Sequence, residues 1–189
     1  IIKTLNQIQM IKNRRIKSFN KKNYLIPKYK KKTLFDEACL FSNWYTKKLP
    51  KSQRYNFIKK FKKIVKKLIS GLELKNNTFV HRDFHISNLM YVDNKIAVID
   101  SQDALIGNKA YDLASLVDDV RLKTSTAFKD KIYKFYINRQ RKLDKNKFKN
   151  DFEILSVLRN LKIIGIFTRL AVRDGKKNYL KLIPYAWKL

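Results

Sequence analysis

Asp83, Asn88 and Asp100 have the types and spacing that phosphoryl transfer requires. They lie in FVHRDFHISNLMYVDNKIAVIDSQDA, residues 79–104. Asp83 and Asn88 stand five apart on a loop between two predicted strands, and Asp100 ends the next strand. One carboxylate can accept or orient the proton of an attacking hydroxyl. An amide oxygen and a second carboxylate can hold Mg²⁺ against nucleotide phosphates. Asparagine suits the metal because it coordinates without adding charge that would repel phosphate. The transition state of such a transfer is loose, so positioning and the metal outweigh the base.

The acidic residues are concentrated here in an otherwise basic chain. Seven of the fifteen, Asp83, Asp93, Asp100, Asp103, Asp112, Asp118 and Asp119, fall between residues 83 and 119, against only Lys95 and Lys109. Not all of them read as chemical groups. Asp93 suits the turn between strands. Asp112 opens a helix, where a carboxylate caps free amides, and it can also brace the catalytic loop. Asp118 and Asp119 read as surface charges. His81 reads as a histidine that orders the loop rather than a proton shuttle. Arg82 either neutralises a phosphate or braces the loop. His85 could join His81 on a metal, but hard Mg²⁺ prefers oxygen, and no cysteine pattern for zinc accompanies the pair.

The elements that must position these groups follow from periodicity. Residues 1–32 predict a basic amphipathic helix, with Leu5, Ile8, Ile11 and Ile16 on one side, and then a lysine-rich connection through Pro27. A second helix, TLFDEACLFSNWYTKKL, stops before Pro50, with Leu34, Cys39, Leu40, Trp44 and Tyr45 as its buried face. The third, YNFIKKFKKIVKKLISGL, keeps Phe57, Ile58, Phe61, Ile64, Val65, Leu68, Ile69 and Leu72 at helical spacing opposite a lysine face. Its continuous apolar stripe favours a core helix over a membrane-surface one. After Asn77 the period shortens: TFVHRD, LMYVD and KIAVID predict strands, the last two joined by a tight turn at Asp93-Asn94. Helices return with YDLASLVDDVRL, TAFKDKIYKFYINRQRKL and FEILSVLRNLKIIGIFTRLAV, and a short terminal helix is broken near Pro184. The fold class is α+β, a helical body around one small catalytic-loop β-hairpin.

Bulk properties exclude several alternatives. The 189 residues are 44% hydrophobic and 13% aromatic, enough for one packed domain rather than disorder. The longest apolar run, near residues 163–167, is far short of the roughly 20 residues of a membrane span. A single cysteine, Cys39, predicts a reducing, cytoplasmic setting. The net charge of +29 invites a nucleic-acid partner. Lysine outnumbers arginine by 34 to 10, however, alongside abundant Asn, Ile, Phe and Tyr. That is the signature of A/T-rich codons rather than of a phosphate-reading surface, which favours the bidentate arginine fork.

The motifs HRDFHISNLM, VIDSQDALIGNKAYDLASLVDD and LRNLKIIGIFTRLAVRDGKKNYLKLIP resemble the aminoglycoside-phosphotransferase and choline-kinase-like superfamily. Within it they look most like the bacterial kinases of N-acetylmuramate and N-acetylglucosamine. FDEACLFSNWY is similar to the segment that opens the helical lobe of those kinases, so the resemblance spans residues 20–189. It implies a protein-kinase-like fold, ATP as co-substrate, Mg²⁺ as cofactor and an amino sugar phosphorylated at its anomeric hydroxyl during cell-wall recycling. Asp83 would be the base, and Asn88 and Asp100 the metal ligands. Glu37, Gln102, Asp103 and Arg121 are candidate sugar contacts, while His81, Arg82 and Asp112 lend structural support. Ser101 departs from the aromatic usual at its position. Upstream of Asp83 nothing reads as the sheet, strand lysine and glycine loop that cover ATP in such kinases. The whole of residues 1–189 is therefore expected to be a C-terminal catalytic lobe, inactive alone, with its nucleotide-binding lobe upstream. Two other functions fit less well: an aminoglycoside or choline-type kinase, and a non-catalytic basic binding module.

Overall fold

A computed structural model describes residues 1–17, 20 and 22–189. The chain is α+β and divides into two compact units. The first comprises Ile1–Tyr29 and Glu73–Phe152, the second Lys30–Leu72 and Glu153–Leu189. Among the described residues no helix is long and apolar enough to cross a membrane.

The first unit opens with helix α1 (Ile2–Gln9), which buries Ile2 and Leu5. The helix predicted to continue through Ile11 and Ile16 stops here. Asn13 Oδ1 accepts the Arg15 amide at 3.0 Å, a local turn that competes with helix propagation. An unpredicted hairpin follows, strands β1 (Arg15–Lys17) and β2 (Asn23–Leu25), with Ile16 opposite Tyr24 and every residue exposed. Ser18, Phe19 and Lys21, inside that predicted helical segment, lie outside the described residues.

Strand β3 (Thr78–Val80) pairs antiparallel with β6 (Leu105–Gly107), placing Phe79 opposite Ile106. Ile106 is the hub of this ladder. Its carbonyl accepts the Tyr29 amide and its own amide donates to the Pro27 carbonyl, both at 2.8 Å. Ile26, Phe79, Ala104 and Ile106 form the apolar cluster beneath, with Ile8 of α1 packed on it. Between them, β4 (Leu89–Val92) and β5 (Lys95–Val98) make the predicted hairpin. Asp93 and Asn94 have φ of +48° and +58°, the left-handed pair that a two-residue hairpin turn of matching twist requires. Helices α4 (Tyr111–Val117) and α5 (Thr126–Ile137) complete the unit, followed by the start of α6 (Lys145–Arg173). Asp151 is fully buried on α6. Its carboxylate accepts the amides of Glu73 and Leu74 at 2.8 and 2.9 Å, and the Asn108 side-chain amide as well.

The second unit is helical. Helix α2 (Lys31–Trp44) buries Leu34, Ala38, Cys39, Phe41 and Ser42; Leu40 and Trp44 on α2 and Tyr45 just beyond it are only half-buried. Helix α3 (Lys51–Ser70) buries Phe61, Val65 and Ile69, a narrower stripe than predicted, since Ile64 is 58% exposed. The remainder of α6 and a short α7 (Ile183–Ala186) pack in the same unit. Pro184 sits in the first turn of α7, where its fixed φ and missing N–H are tolerated. It starts that helix rather than breaking one. Gly165 brings α6 against α2: a Cβ there would lie 2.3 Å from the Leu40 carbonyl carbon and 2.5 Å from the Phe41 nitrogen.

Candidate active site

The candidate site grows out of the end of β3. His81, 1% exposed, follows Val80 directly. The loop then runs through Asp83 to a single 3₁₀ turn, Ile86–Asn88, and into β4. Two internal bonds fold it: the His85 amide donates to the Asp83 carbonyl at 3.0 Å, and the Asn88 amide to the His85 carbonyl at 2.9 Å. The Asn88 side chain donates its Nδ2 to the same Asp83 carbonyl at 3.0 Å. A carbonyl can only accept, so the nitrogen must point there. The Oδ1 of Asn88 thereby faces away from that carbonyl, as an acceptor.

Asp100 is tied to this loop through its neighbour. The Ile99 amide donates to the Asn88 carbonyl at 3.1 Å, and the Ile99 carbonyl lies 3.0 Å from His81 Nε2. By the same logic Nε2 carries the proton of the imidazole. Both ends of the loop therefore hold Ile99, and Asp100 leaves that anchored residue with φ of +68°. Arg82, next to the base candidate, has φ of +73°. Left-handed non-glycine residues cost about 1–3 kcal/mol each and persist only where their surroundings hold them. Arg82 is held: its amide donates to Asp112 Oδ1 at 3.0 Å, and the His81 amide to Asp112 Oδ2 at 2.7 Å.

This changes the reading of several acidic residues. Asp112 is fully buried and grips the start of the His81–Asn88 loop. Its helix is capped at Ala110 without a side-chain bond, so among the two roles foreseen for Asp112, bracing is the one seen. Asp118 and Asp119 are not surface charges; they are 8% and 4% exposed. Asp118 pairs with Lys129 at 3.1 Å. Asp119 accepts the Ile86 amide at 2.9 Å and the Arg121 amide at 3.0 Å. Sequence patterning gave no signal for these burials beyond their position after YDLASLV: the Ile86 amide lies 33 residues upstream of Asp119, and no local pattern marks the pairings with Lys129 and Arg121.

Other candidates distribute as follows. Gln102 donates its side-chain amide to Asp100 Oδ1. Asp103 is exposed beside Arg82, whose guanidinium lies 3.3 Å from the Asp103 carbonyl and 3.7 Å from its Oδ2. Arg121 directs its guanidinium to Asp119 at 3.3 Å. Glu37 belongs to the second unit, where it pairs with Lys162 at 3.2 Å.

The donor chemistry suits a hard cation. Asn88 Oδ1 and the Asp100 carboxylate would be oxygen ligands, and Mg²⁺ commonly takes one or two protein oxygens while water and substrate phosphates complete its shell. Asp83, half-buried in the same loop, is available to receive a proton.

Comparison with known proteins places the chain in a family. The chain is 33% identical over 167 residues to the N-acetylmuramate/N-acetylglucosamine kinase of Neisseria meningitidis serogroup B, covering 85% of this chain and 50% of that protein. It is 30% identical over 171 residues to the protein of the same name from Pseudomonas aeruginosa, covering 85% and 49%. With that of Caulobacter vibrioides it shares 33% identity over 114 residues, 58% of this chain and 31% of that protein. The chain thus spans about half the length, or less, of the curated relatives it matches. Residues 13–144, which include the loop from His81 to Asn88 and helices α4 and α5, match the phosphotransferase enzyme family, and the chain belongs to that family.

Proposed function

We propose that this chain carries the catalytic lobe of an ATP-dependent amino-sugar kinase with a protein-kinase-like fold, working in the cytoplasm. The acceptor is N-acetylmuramate or N-acetylglucosamine, phosphorylated at the anomeric hydroxyl to feed cell-wall recycling. The names of the relatives support the acceptor class. The observation that carries the reaction type is the double grip of His81 and Asn88 on Ile99, which keeps Asp100 beside the Asp83–Asn88 loop.

In this reading Asp83 receives the proton of the attacking hydroxyl as its oxygen bonds to the γ-phosphorus. The bond from that phosphorus to the bridging oxygen breaks, and ADP departs with the electron pair. Asn88 Oδ1 and the Asp100 carboxylate hold Mg²⁺, which supplies neutralisation of phosphate charge when bound. Gln102 restrains the Asp100 carboxylate by donating its side-chain amide to Oδ1. Gln102 and Asp103 serve as acceptor contacts close to the reacting atoms. Glu37 and Arg121 are engaged with Lys162 and Asp119, so neither is assigned a direct contact with the acceptor in this reading.

The test is ADP release and ³¹P spectroscopy with N-acetylmuramate, N-acetylglucosamine and kanamycin as acceptors. The protein is assayed both as this chain and with any residues its gene encodes upstream. A sugar 1-phosphate is expected. Phosphorylated kanamycin without sugar turnover would replace this reading with a drug kinase.

A further inference from the structure

The catalytic loop is held at both ends by carboxylates from one short helix and its exit. Asp112 takes the amides of His81 and Arg82 at the start of the loop. Asp119 stands seven residues later, about two helical turns. It takes the amide of Ile86, which opens the 3₁₀ turn that ends in Asn88. No side chain within that turn caps it, so its first amide finds its acceptor in Asp119. Asp119 is in turn held by Arg121. Its Oδ1 accepts the Arg121 amide at 3.0 Å and the guanidinium at 3.3 Å, leaving Oδ2 directed to Ile86. The side chain of Asp119 is 3% exposed and that of Arg121 31%, so the grip is buried while its clamp reaches the surface.

We propose that Asp119 is a positioning residue for the metal ligand Asn88, with Arg121 as the clamp that fixes its rotamer. Asn88 is oriented from inside the loop by the Asp83 carbonyl and located from outside through Ile86 and Asp119. Arg121 thus acts on the site through Asp119 rather than by touching the sugar. The consequence for catalysis rests on the phosphotransferase reading above; the mechanical link between Asp119 and the 3₁₀ turn does not.

Two measurements separate these. The first is residue-resolved amide exchange on the metal-free chain, comparing Ile86 with the Tyr29 amide, which is held by Ile106 in the same unit. Asp119→Ala should speed exchange at Ile86 about tenfold or more while Tyr29 changes little, as expected for local opening. Arg121→Ala, at a partly exposed residue, should act in the same direction more weakly and guards against a misfolded Asp119 variant. The second is the Mg²⁺ concentration for half-maximal turnover, which should rise roughly tenfold or more in Asp119→Ala, the usual effect of losing a group that supports a ligand. An unchanged Ile86, or equal acceleration at Ile86 and Tyr29, overturns the link. Selective exchange with an unaltered Mg²⁺ requirement overturns the positioning role. Selective exchange in a protein that phosphorylates none of the acceptors upholds the link and rejects the kinase reading instead.

Discussion

The side-chain amide of Asn88 donates to the backbone carbonyl of Asp83 at 3.0 Å, coupling the proposed metal ligand to the proposed base. One residue therefore helps shape the loop and presents an oxygen to the cation. Replacement by Asp keeps an oxygen ligand but loses the side-chain donor to that carbonyl, leaving the His85 amide as its partner, and adds charge facing phosphate. Asn88→Asp should bind free Mg²⁺ at least as well as the parent protein while lowering kcat. Calorimetry with Mg²⁺ alone, beside turnover at saturating Mg²⁺, checks the split.

Asp83 and Asp100 should separate by phenotype. Asp83→Asn removes the proton acceptor without changing volume and should lower kcat by about 10²–10⁴-fold, the usual range for general base loss. Binding of Mg²⁺–ATP should be nearly unaffected. Asp100→Ala removes a ligand and should raise the Mg²⁺ requirement by at least the roughly 10–100-fold that a lost supporting group costs. Equal loss of turnover and metal binding in Asp83→Asn would assign Asp83 to the metal.

How much of this was readable beforehand depended on the range of the contact. The H-x-D-x-x-x-x-N spacing, the Asp93-Asn94 turn and the lysine-faced stripe of α3 are local patterns, and each is present. Strand β3 falls within the predicted TFVHRD segment, but its partner β6 and their pairing escaped, because β6 is three residues long, too short for alternation to register, and the paired residues lie 25 or more apart. The burial of Asp119 depends on an amide 33 residues upstream, and that of Asp151 on amides 77 and 78 residues upstream. No periodicity marks a carboxylate whose partners are backbone groups, since any residue supplies an N–H.

Asp151 gives a stability prediction independent of catalysis. Removing its carboxylate leaves the Glu73 and Leu74 amides without their acceptor, along with the Asn108 side chain. The Asn108 donor is buried and the two amides partly so; a fully buried donor left unpaired costs roughly 1–3 kcal/mol, a part-buried one less. Asp151→Ala should therefore lower the urea midpoint strongly. Asp144→Ala is the comparison: Asp144 accepts the Asn146 and Lys147 amides at the exposed start of α6, where water can replace it. It should lose about 1 kcal/mol, as for a helix cap.

Cys39 is the one cysteine, 5% exposed on α2, and burial pushes its thiol pKa up against an opposing pull from Lys62. The folded thiol should react slowly with alkylating reagents at pH 8, and at full speed in denaturant, because the thiolate is the nucleophile. A thiol pKa higher in the folded state than in the unfolded chain means the unfolded state loses its proton first. Below the ordinary thiol range Cys39 should leave stability independent of pH, and above it stability should fall as pH rises. Cys39→Ser should flatten that alkaline slope at some cost in packing. Rapid alkylation of the native chain at pH 8 would place Cys39 at the surface and defeat the prediction.

Gly165 tests the packing of the second unit, where two effects of opposite sign compete. Alanine in a helix interior is favoured over glycine by about 1 kcal/mol. Here its Cβ would fall 2.3 Å from the Leu40 carbonyl carbon and 2.6 Å from its oxygen, far inside contact distance. The obstacle is backbone, so no rotamer change relieves it and α6 must move away from α2. Overpacking of this kind costs about 1–3 kcal/mol, occasionally more, which exceeds the propensity gain. Gly165→Ala should therefore lower the urea midpoint, whereas helix propensity alone would raise it. The sign of that shift decides whether close backbone approach governs this position.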